Sequence, residues 1–170
     1  MKSDSNQHTA SERAELHLRP FAPEDEAFAL ELYRSVRGEE LALLGWDQLQ
    51  QELFLKMQLR ARDQSYLMYY PSLDDRIIVF NNRPAGRLIL SRTAEALRLV
   101  DISLLPQYRG TGLGTSLIKD ILAEAEATSR EVHLQVEKTN PQALRLYKRL
   151  GFTVTGENQT HVQMERKSIE

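Results

Sequence analysis

The sequence contains no cysteine, and this absence excludes several kinds of protein. Disulfide-linked folds, thiolate zinc sites and cysteine nucleophiles all require that residue. Histidine is also scarce, because the chain has only four, and they show neither an H-x₃-H nor an HExxH spacing. The sequence therefore predicts no metal site and no catalysis by a protein thiol.

Long apolar runs and an excess of basic charge are absent as well. No segment approaches the roughly 18 apolar residues that a membrane span needs, and the first fourteen residues lack the apolar core of a signal peptide. Lysine and arginine number 22 against 24 acidic residues, so the formal net charge is −2 and no basic stripe favours nucleic acid. These features predict a cytoplasmic protein with a flexible polar tail at 1–14, no membrane and no nucleic-acid partner.

The composition is typical of one globular domain. The chain has 170 residues, of which 41% are hydrophobic and 27% charged, and these values are ordinary for a single soluble unit. No internal repeat, low-complexity tract or linker divides it. We therefore expect one domain over residues 15–170.

Hydrophobic periodicity predicts the order β, α, α, three strands, α, β, α and one or two final strands. Residues 16–20 alternate as a short strand does, whereas Leu49, Leu53 and Met57 repeat at the spacing of an amphipathic helix. The stretch NNRP, residues 81–84, predicts a turn between two strands. This order predicts an α/β (α+β) fold, with a mixed, mostly antiparallel sheet and helices on both faces.

The stretch QYRGTGLG, residues 107–114, places three glycines at alternate positions just before a leucine-rich helical pattern. Glycine costs a helix interior roughly 0.8–1 kcal/mol relative to alanine. A helix N-terminus attracts anions through its unpaired N–H groups, and glycine allows close approach to the backbone. Two interpretations stay open here: an anion-binding loop to which Arg109 adds positive charge, or a tight turn without a ligand. A P-loop lysine and the Rossmann glycine spacing are both missing.

Together with a second motif, this loop resembles the acetyl-CoA-binding motif of the GNAT family of N-acetyltransferases. Arg109, Gly112 and Gly114 fill the three defined places of the family pattern (R/Q)-x-x-G-x-(G/A). Residues 140–152, NPQALRLYKRLGF, are similar to the family segment N-x-x-A-x-x-L-Y-x-x-x-G-F. Two motifs in this order are far more specific than either one, and the resemblance covers residues 76–167.

The resemblance implies an acetyl-CoA-dependent N-acetyltransferase with a six- to seven-stranded sheet and a splayed central strand pair. Acetyl-CoA is the cosubstrate, and the acceptor is a small-molecule or peptide amine. The strand before the loop pairs with the pantetheine arm, the loop amides hold the pyrophosphate, and Asn140 contacts the cofactor near the gap. The implied cofactor-binding residues are Ile102, Ser103, Leu104, Arg109, Gly110, Thr111, Gly112, Leu113, Gly114, Thr115, Asn140 and Tyr147.

The resemblance also implies direct attack of the amine on the thioester within a ternary complex. Tyr147 is the expected proton donor to the departing sulfur, and packing within its helix is the alternative interpretation. Relatives often carry a glutamate where Gln135 stands or around Arg98, and this chain has no carboxylate at either place. Asp101 and Glu137, in the two splayed strands, are therefore the candidate bases through a water. A solvated or salt-bridged carboxylate is the alternative for each.

A non-catalytic acyl-CoA sensor with the same fold is the alternative function, because the usual glutamates are missing. Acceptor specificity is expected from the first two helices and the loop that joins them. The residues of that segment that could line a pocket mouth are Arg34, Arg37, Glu39, Glu40 and Trp46. Family members often dimerise, so the resemblance further implies a homodimer in which residues 161–166 pair across a two-fold axis.

Overall fold

The structure is a computed structural model that describes residues 15–168. The predicted tail at 1–14 lies outside the described residues. The elements, in chain order, are β1 (Leu16–Pro20), α1 (Glu26–Ala42), α2 (Gln48–Tyr69), β2 (Leu73–Phe80), β3 (Arg83–Arg92), β4 (Ala96–Leu104), α3 (Leu113–Ala127), β5 (Glu131–Glu137), α4 (Pro141–Arg149), β6 (Thr153–Glu157) and β7 (His161–Arg166). Short 3₁₀ turns precede α1 and the glycine loop.

The seven strands form one sheet in the order β1-β2-β3-β4-β5-β7-β6. Within this sheet every neighbouring pair is antiparallel except β4 and β5, which run parallel. Their pairing extends from Ala96 opposite Glu131 only as far as Leu99 opposite Leu134. Both strands continue beyond that point, so they part at their carboxyl ends. The predicted mixed sheet with a splayed central pair is confirmed.

Helices cover both faces of the sheet. The apolar stripe of α3 packs on the central strands in one core, to which α4 contributes Tyr147. Along β5 the alternation Val132, Leu134 and Val136 supplies the buried face, as expected for a strand with one face in the core. A second core joins α1 and α2. Among residues 15–168, no helix is both long enough and apolar enough to cross a membrane.

The buried face of α2 differs from the prediction. Leu49, Leu53 and Met57, which repeat at helical spacing, are 66%, 59% and 60% exposed. The helix instead buries Leu55 and Leu59 against α1. The periodicity correctly indicated a helix, but it pointed to the wrong stripe, because only the packing partner decides which apolar stripe is covered.

The position of β7 overturns the prediction for the dimer contact. This strand lies between β5 and β6 and pairs with both of them. Since both of its edges are used, residues 161–166 cannot pair with a second copy through their backbone. The edge strands of the described sheet are β1 and β6.

Candidate active site

A gap opens between β4 and β5 where their pairing stops. On its other side β4 remains paired with β3 as far as Leu104. Over residues 100–104, the edge of β4 that faces the gap therefore has no strand partner within the described chain. An unpaired strand edge presents N–H and C=O groups to which an extended ligand can add as a further strand.

A β-bulge in β4 lies where the two strands part. The register between β3 and β4 shifts there, and Val100 is left without an opposite residue. An extra residue of this kind changes the face to which the following side chains point. Leu99 before the bulge and Ile102 after it both contact the core under α3. Asp101 lies on the other face, where it meets Arg62 of α2.

The loop between β4 and α3 uses glycine for its backbone conformation at two positions. Gly110 and Gly112 have φ angles of +71° and +91°, which side chains of L-residues adopt only with strain. Apart from the adjacent residues, a Cβ atom at either position would meet no atom of residues 15–168 within 4 Å. At Gly114 a Cβ would lie 3.7 Å from Leu104, an ordinary contact. The loop therefore leaves open space above its backbone.

The N-terminus of α3 carries no side-chain cap. Gly112 is its N-cap residue, and no acidic residue lies in the first turn. The N–H groups of that turn are consequently not satisfied by a neighbouring carboxylate or hydroxyl of the described chain. Such a terminus carries partial positive charge and is well suited to bind a phosphate.

Arg109 joins the glycine loop to two other elements. Its Nε donates a hydrogen bond to the carbonyl oxygen of Leu104 at 2.8 Å. Its Nη2 donates to Ser35 of α1, at 2.9 Å to Oγ and 3.4 Å to the carbonyl oxygen. The guanidinium thus holds the end of β4, the loop and α1 together. Sequence reasoning did not anticipate the contact with Ser35, which lies 74 residues away.

Tyr147 combines a buried ring with a hydroxyl that reaches open space. The side chain is 7% exposed, and its ring packs edge-on against Phe152 at 5.6 Å between centroids. Within the described residues the hydroxyl makes no hydrogen bond, and no side-chain polar atom that is shut off from solvent lacks a partner. The hydroxyl must therefore touch solvent-accessible space. Burial raises the pKa of Tyr147 to about 12, and the charge of Asp101 adds to the rise.

Asp101 is a mostly enclosed carboxylate. Its side chain is 21% exposed, its Oδ2 lies 3.8 Å from Nη1 of Arg62, and the same oxygen accepts a hydrogen bond from Oγ of Ser103 at 3.1 Å. Burial raises the pKa of Asp101, while Arg62 and Ser103 favour the ionised form and oppose the rise. The charge of Asp101 also helps raise the pKa values of Tyr147 and Tyr66. Tyr147 and Asp101, two of the predicted catalytic residues, therefore interact electrostatically.

Glu137 lies at the end of β5 in a more exposed position. Its side chain is 49% exposed, and its Oε1 is 3.7 Å from Nη2 of Arg37 on α1. This arrangement matches the salt-bridged alternative for the residue. Arg37 also lies over the ring of Tyr33, at 5.9 Å from its centroid. Arg37, one of the residues predicted for the pocket mouth, therefore links the first helix to β5.

Asn140 is the N-cap residue of α4. Its Oδ1 accepts a hydrogen bond from the backbone N–H of Ala143 at 3.0 Å. Because Asn140 follows closely after β5, the cap fixes where α4 begins relative to the gap. The side-chain NH₂ donates no hydrogen bond within the described residues.

Comparison with known proteins decides the family. Residues 28–152 match the sequence model of the acetyltransferase (GNAT) family, which is most of the chain. The chain belongs to the GNAT family. Both motifs that carried the resemblance lie within or at the end of the matched region, and the observed sheet with its parted β4–β5 pair is the GNAT fold.

Two relatives of this GNAT domain are N-acetyltransferases by name. An N-alpha-acetyltransferase of Sulfurisphaera tokodaii is 39% identical over 56 residues, which are 32% of this chain and 34% of that protein. A 5-NmdU N-acetyltransferase of Pseudomonas phage PaMx11 is 42% identical over 57 residues, 34% of this chain and 39% of that protein. The chain thus spans little more than a third of the length of these curated relatives.

A solved structure shows the same fold over nearly the whole domain. The PaiA N-acetyltransferase of Thermoplasma acidophilum, in complex with coenzyme A, superposes with a TM-score of 0.65 at 18% identity. The match covers 90% of this chain and 99% of that one. Identity at this level establishes the fold alone.

The GNAT domain also contains a cluster that sequence reasoning missed. Glu131 and His133 of β5 and Glu165 of β7 bring potential metal-ligand atoms within 4.8 Å of one another. Nε2 of His133 lies 3.2 Å from Oε2 of Glu131, so a hydrogen bond already joins two of the three. Spacing rules gave no signal for this set, because only the pairing of β5 with β7 brings Glu165 opposite His133.

A concavity of about 830 Å³ lies away from the gap, between α3 and the end of α4. Its lining includes Lys119, Arg149 and Arg166. Arg166 pairs with Val132 near the start of β5, whereas the gap lies at the carboxyl end of that strand. The cavity is therefore at the opposite end of the sheet from the candidate active site.

Proposed function

We propose that this GNAT protein is an N-acetyltransferase that transfers the acetyl group of acetyl-CoA to a primary amine of a small molecule or peptide. The observation that supports this most is the parting of β4 and β5 beside a glycine loop that opens an uncapped helix. These features offer one site with a strand edge and an anion-binding terminus together. A long ligand with an amide-containing arm and a pyrophosphate fits both.

The residues present fit coenzyme A. The unpaired edge of β4 at Ile102, Ser103 and Leu104 would pair with the pantetheine arm as an added strand. The backbone amides from Gly110 to Thr115 would hold the pyrophosphate, since no side chain of the described residues fills the space above the loop glycines. In this role Arg109 keeps the loop in place through its hydrogen bonds.

The chemistry requires a proton acceptor and a proton donor. A lysine-like amine has a pKa near 10.4, so it must lose a proton before it attacks the thioester. In our proposal Asp101 accepts that proton through a water, and its raised pKa makes it a stronger base than an exposed aspartate. Tyr147 donates a proton to the departing sulfur, and a pKa of about 12 keeps the phenol protonated at neutral pH. Glu137, paired with Arg37, is the second candidate for the base.

The acceptor is proposed only as a primary amine. An N-alpha-acetyltransferase, a 5-NmdU N-acetyltransferase and a spermidine N-acetyltransferase are among the similar proteins, and the name of each indicates a different acceptor. N-acetylation is what these names have in common. Arg37 and its neighbours at the mouth of the gap are the proposed determinants of acceptor choice.

Release of free thiol from acetyl-CoA, measured with a panel of primary amines, tests the proposal. The panel should include polyamines, amino acids, aminoglycosides and short peptides with free N-termini. Amine-dependent thiol release, together with acetylated product by mass spectrometry, would support it. Calorimetric binding of acetyl-CoA without turnover of any amine would instead favour the acyl-CoA sensor. The absence of both binding and turnover would contradict both functions.

Homodimerisation and a cytoplasmic location remain predictions. The dimer is supported by the family resemblance, and it would have to use a surface other than the edges of β7. Sedimentation velocity at micromolar concentration tests it, and a single species at the 19.6 kDa of one chain would exclude the dimer.

A further inference from the structure

A row of alternating charges leads from the core under α2 to Asp101. It begins at Arg87 of β3, which is 4% exposed. Its Nε and Nη2 donate to the two carboxylate oxygens of Asp75 at 2.9 and 2.6 Å, and its Nη1 donates to Asp63 at 2.9 Å. Charge-assisted hydrogen bonds of this kind hold the carboxylates of Asp75 and Asp63 in place. Asp63 is therefore a well-anchored group on α2.

Arg62, the neighbour of Asp63 on α2, is held from several sides. Its Nε and Nη2 donate to Oδ1 of Asp63 at 3.2 and 3.0 Å. Its guanidinium lies 5.1 Å from the ring centroid of Tyr33 and 5.3 Å from that of Tyr66, within the range of cation–π attraction. The remaining nitrogen, Nη1, is the one that lies 3.8 Å from Asp101. This cation is therefore held by several contacts besides the one with Asp101.

We propose that Arg62 is a positioning residue for Asp101, which it keeps ionised and oriented so that the carboxylate can receive the proton of the acceptor amine. This proposal rests on the proposed N-acetyltransferase function. The proton passes from the ammonium group of the acceptor through a water to the Asp101 carboxylate, which becomes a carboxylic acid. The amine nitrogen keeps its electron pair for attack on the thioester.

The contacts of the carboxylate agree with this role. Arg62 and Ser103 both approach Oδ2, whereas Oδ1 of Asp101 has no partner within the described residues. One oxygen is thus held and the other is available to a water. The bulge at Val100 turns the side chain toward Arg62 in the first place.

The electrostatic balance at Asp101 explains why a fixed cation is needed. Burial favours the neutral carboxyl, and Asp63 does so as well through its negative charge. Arg62 is the first of the groups that favour the carboxylate, followed by Ser103 and by Arg87 of β3. Two phenols complete the surroundings, Tyr66 from α2 and Tyr147 from α4. Without Arg62, only Ser103 and Arg87 would oppose the effect of burial.

A carboxyl ¹³C NMR titration of the full chain tests the proposal without any acceptor. Asp101→Asn assigns the Asp101 resonance, and the parent is compared with Arg62→Met and Arg62→Lys. We expect Arg62→Met to raise the pKa of Asp101 by about one unit or more, a tenfold gain in proton affinity. Arg62→Lys should restore most of the parental value. Arg37→Met is the matched control, because Arg37 faces Glu137. This variant should leave the pKa of Asp101 unchanged.

An unchanged Asp101 pKa in folded Arg62→Met would overturn the proposal. If that variant does not fold, Arg62→Gln, which removes the charge and keeps amide donors for Asp63, is titrated in its place. With any amine that the panel identifies, the acid limb of the kcat/KM profile should move upward in Arg62→Met with the same shift. If the pKa of Asp101 rises in Arg62→Met but no amine is turned over, the positioning role stands and the proposed function is rejected.

Discussion

At the scale of single residues, Tyr147 offers the sharpest test of the chemistry, because its ring and its hydroxyl have separate roles. Tyr147→Phe keeps the ring and its contact with Phe152. We expect kcat and kcat/KM to fall together by about 10²-fold, the low end of the range for general acid catalysis, because a thiolate is already a fair leaving group. Acetyl-CoA affinity, measured by calorimetry, should be nearly unchanged.

Truncation of the ring serves as the contrasting variant. Tyr147→Ala opens a cavity in the core and should lower the free energy of unfolding by roughly 3 kcal/mol or more. Parental turnover by Tyr147→Phe would show that Tyr147 is a packing residue and that another group protonates the sulfur.

We expect substitution of Asp101 to have opposite effects on catalytic activity and on the stability of the fold. Because its folded-state pKa is raised, the folded chain binds the proton more tightly than the unfolded chain does. The favourable contribution of the protonated carboxyl is fully present below about pH 3.9, the ordinary value, and is lost as the pH rises through the folded pKa. Asp101→Asn should therefore lower kcat/KM and yet be more stable than the parent at pH 7.

Urea unfolding at pH 7 and at pH 3.5 measures this second effect. The stability advantage of Asp101→Asn should disappear at the lower pH, where the carboxyl is protonated in both states. A variant that is less stable than the parent at pH 7 would show that the ionised Asp101 is a net stabilising group.

At the scale of elements, the glycine loop and the first turn of α3 act as one unit. Gly112 has φ +91° and open space around the position of a Cβ atom. Two substitutions of similar size at this residue can therefore distinguish the effect of backbone strain from the effect of charge on the ligand. Asparagine and aspartate have nearly the same size, tolerate the left-handed region better than other residues and cap helices well. Gly112→Asn should weaken acetyl-CoA binding moderately, whereas Gly112→Asp should abolish it, because its charge repels the pyrophosphate.

Calorimetry on both folded variants gives the two affinities. Equal losses would show that strain or bulk, and not charge, decides, and would argue against a pyrophosphate at this loop. Parental affinity in both would remove the loop from the binding site.

At the scale of the whole molecule, the half-buried Tyr66 and the buried Tyr147 link the fold to alkaline pH. Tyr66 on one face of the sheet and Tyr147 on the other both have pKa values of about 12, above the ordinary value of about 10. The stability that depends on the neutral phenols is fully present below pH 10 and is lost between pH 10 and 12, since the unfolded chain releases these protons first. The free energy of unfolding should fall over that interval.

Denaturant unfolding at pH 9.5 and 11.5 tests this for the parent, Tyr66→Phe and Tyr147→Phe. Each single variant should lose less stability across the interval than the parent, by up to about 1.4 kcal/mol per pKa unit for a fully buried group. Identical losses in the parent and Tyr147→Phe would contradict the assigned environment of Tyr147.

The features that the sequence predicted correctly depend on neighbours in the chain. The NNRP turn forms at Asn81 and Asn82, with φ angles of +49° and +60°, because asparagine tolerates the left-handed conformation. The helix of residues 141–149 begins with a proline that directly follows a capping asparagine, as these two residues predicted. The loop glycines are a second local signal, since two of the three adopt positive φ.

The features that the sequence did not predict depend on partners far along the chain. The burial of Leu55 in place of Leu53 depends on α1, and the pairing of Arg62 with Asp101 depends on how α2 lies over β4. The bulge at Val100 leaves no mark in the residue pattern, although it decides the face to which Asp101 points.

By itself, the sequence determined the order of the elements, the family and the glycine-opened helix, because turn chemistry, periodicity and short motifs act over a few residues. Only the tertiary structure decided where β4 and β5 part, that β7 is an inner strand, and which carboxylate is enclosed beside a fixed arginine. The physical reason is that strand pairing and burial bring together residues that lie many positions apart in the chain. Burial in turn raises the pKa values of Asp101 and Tyr147.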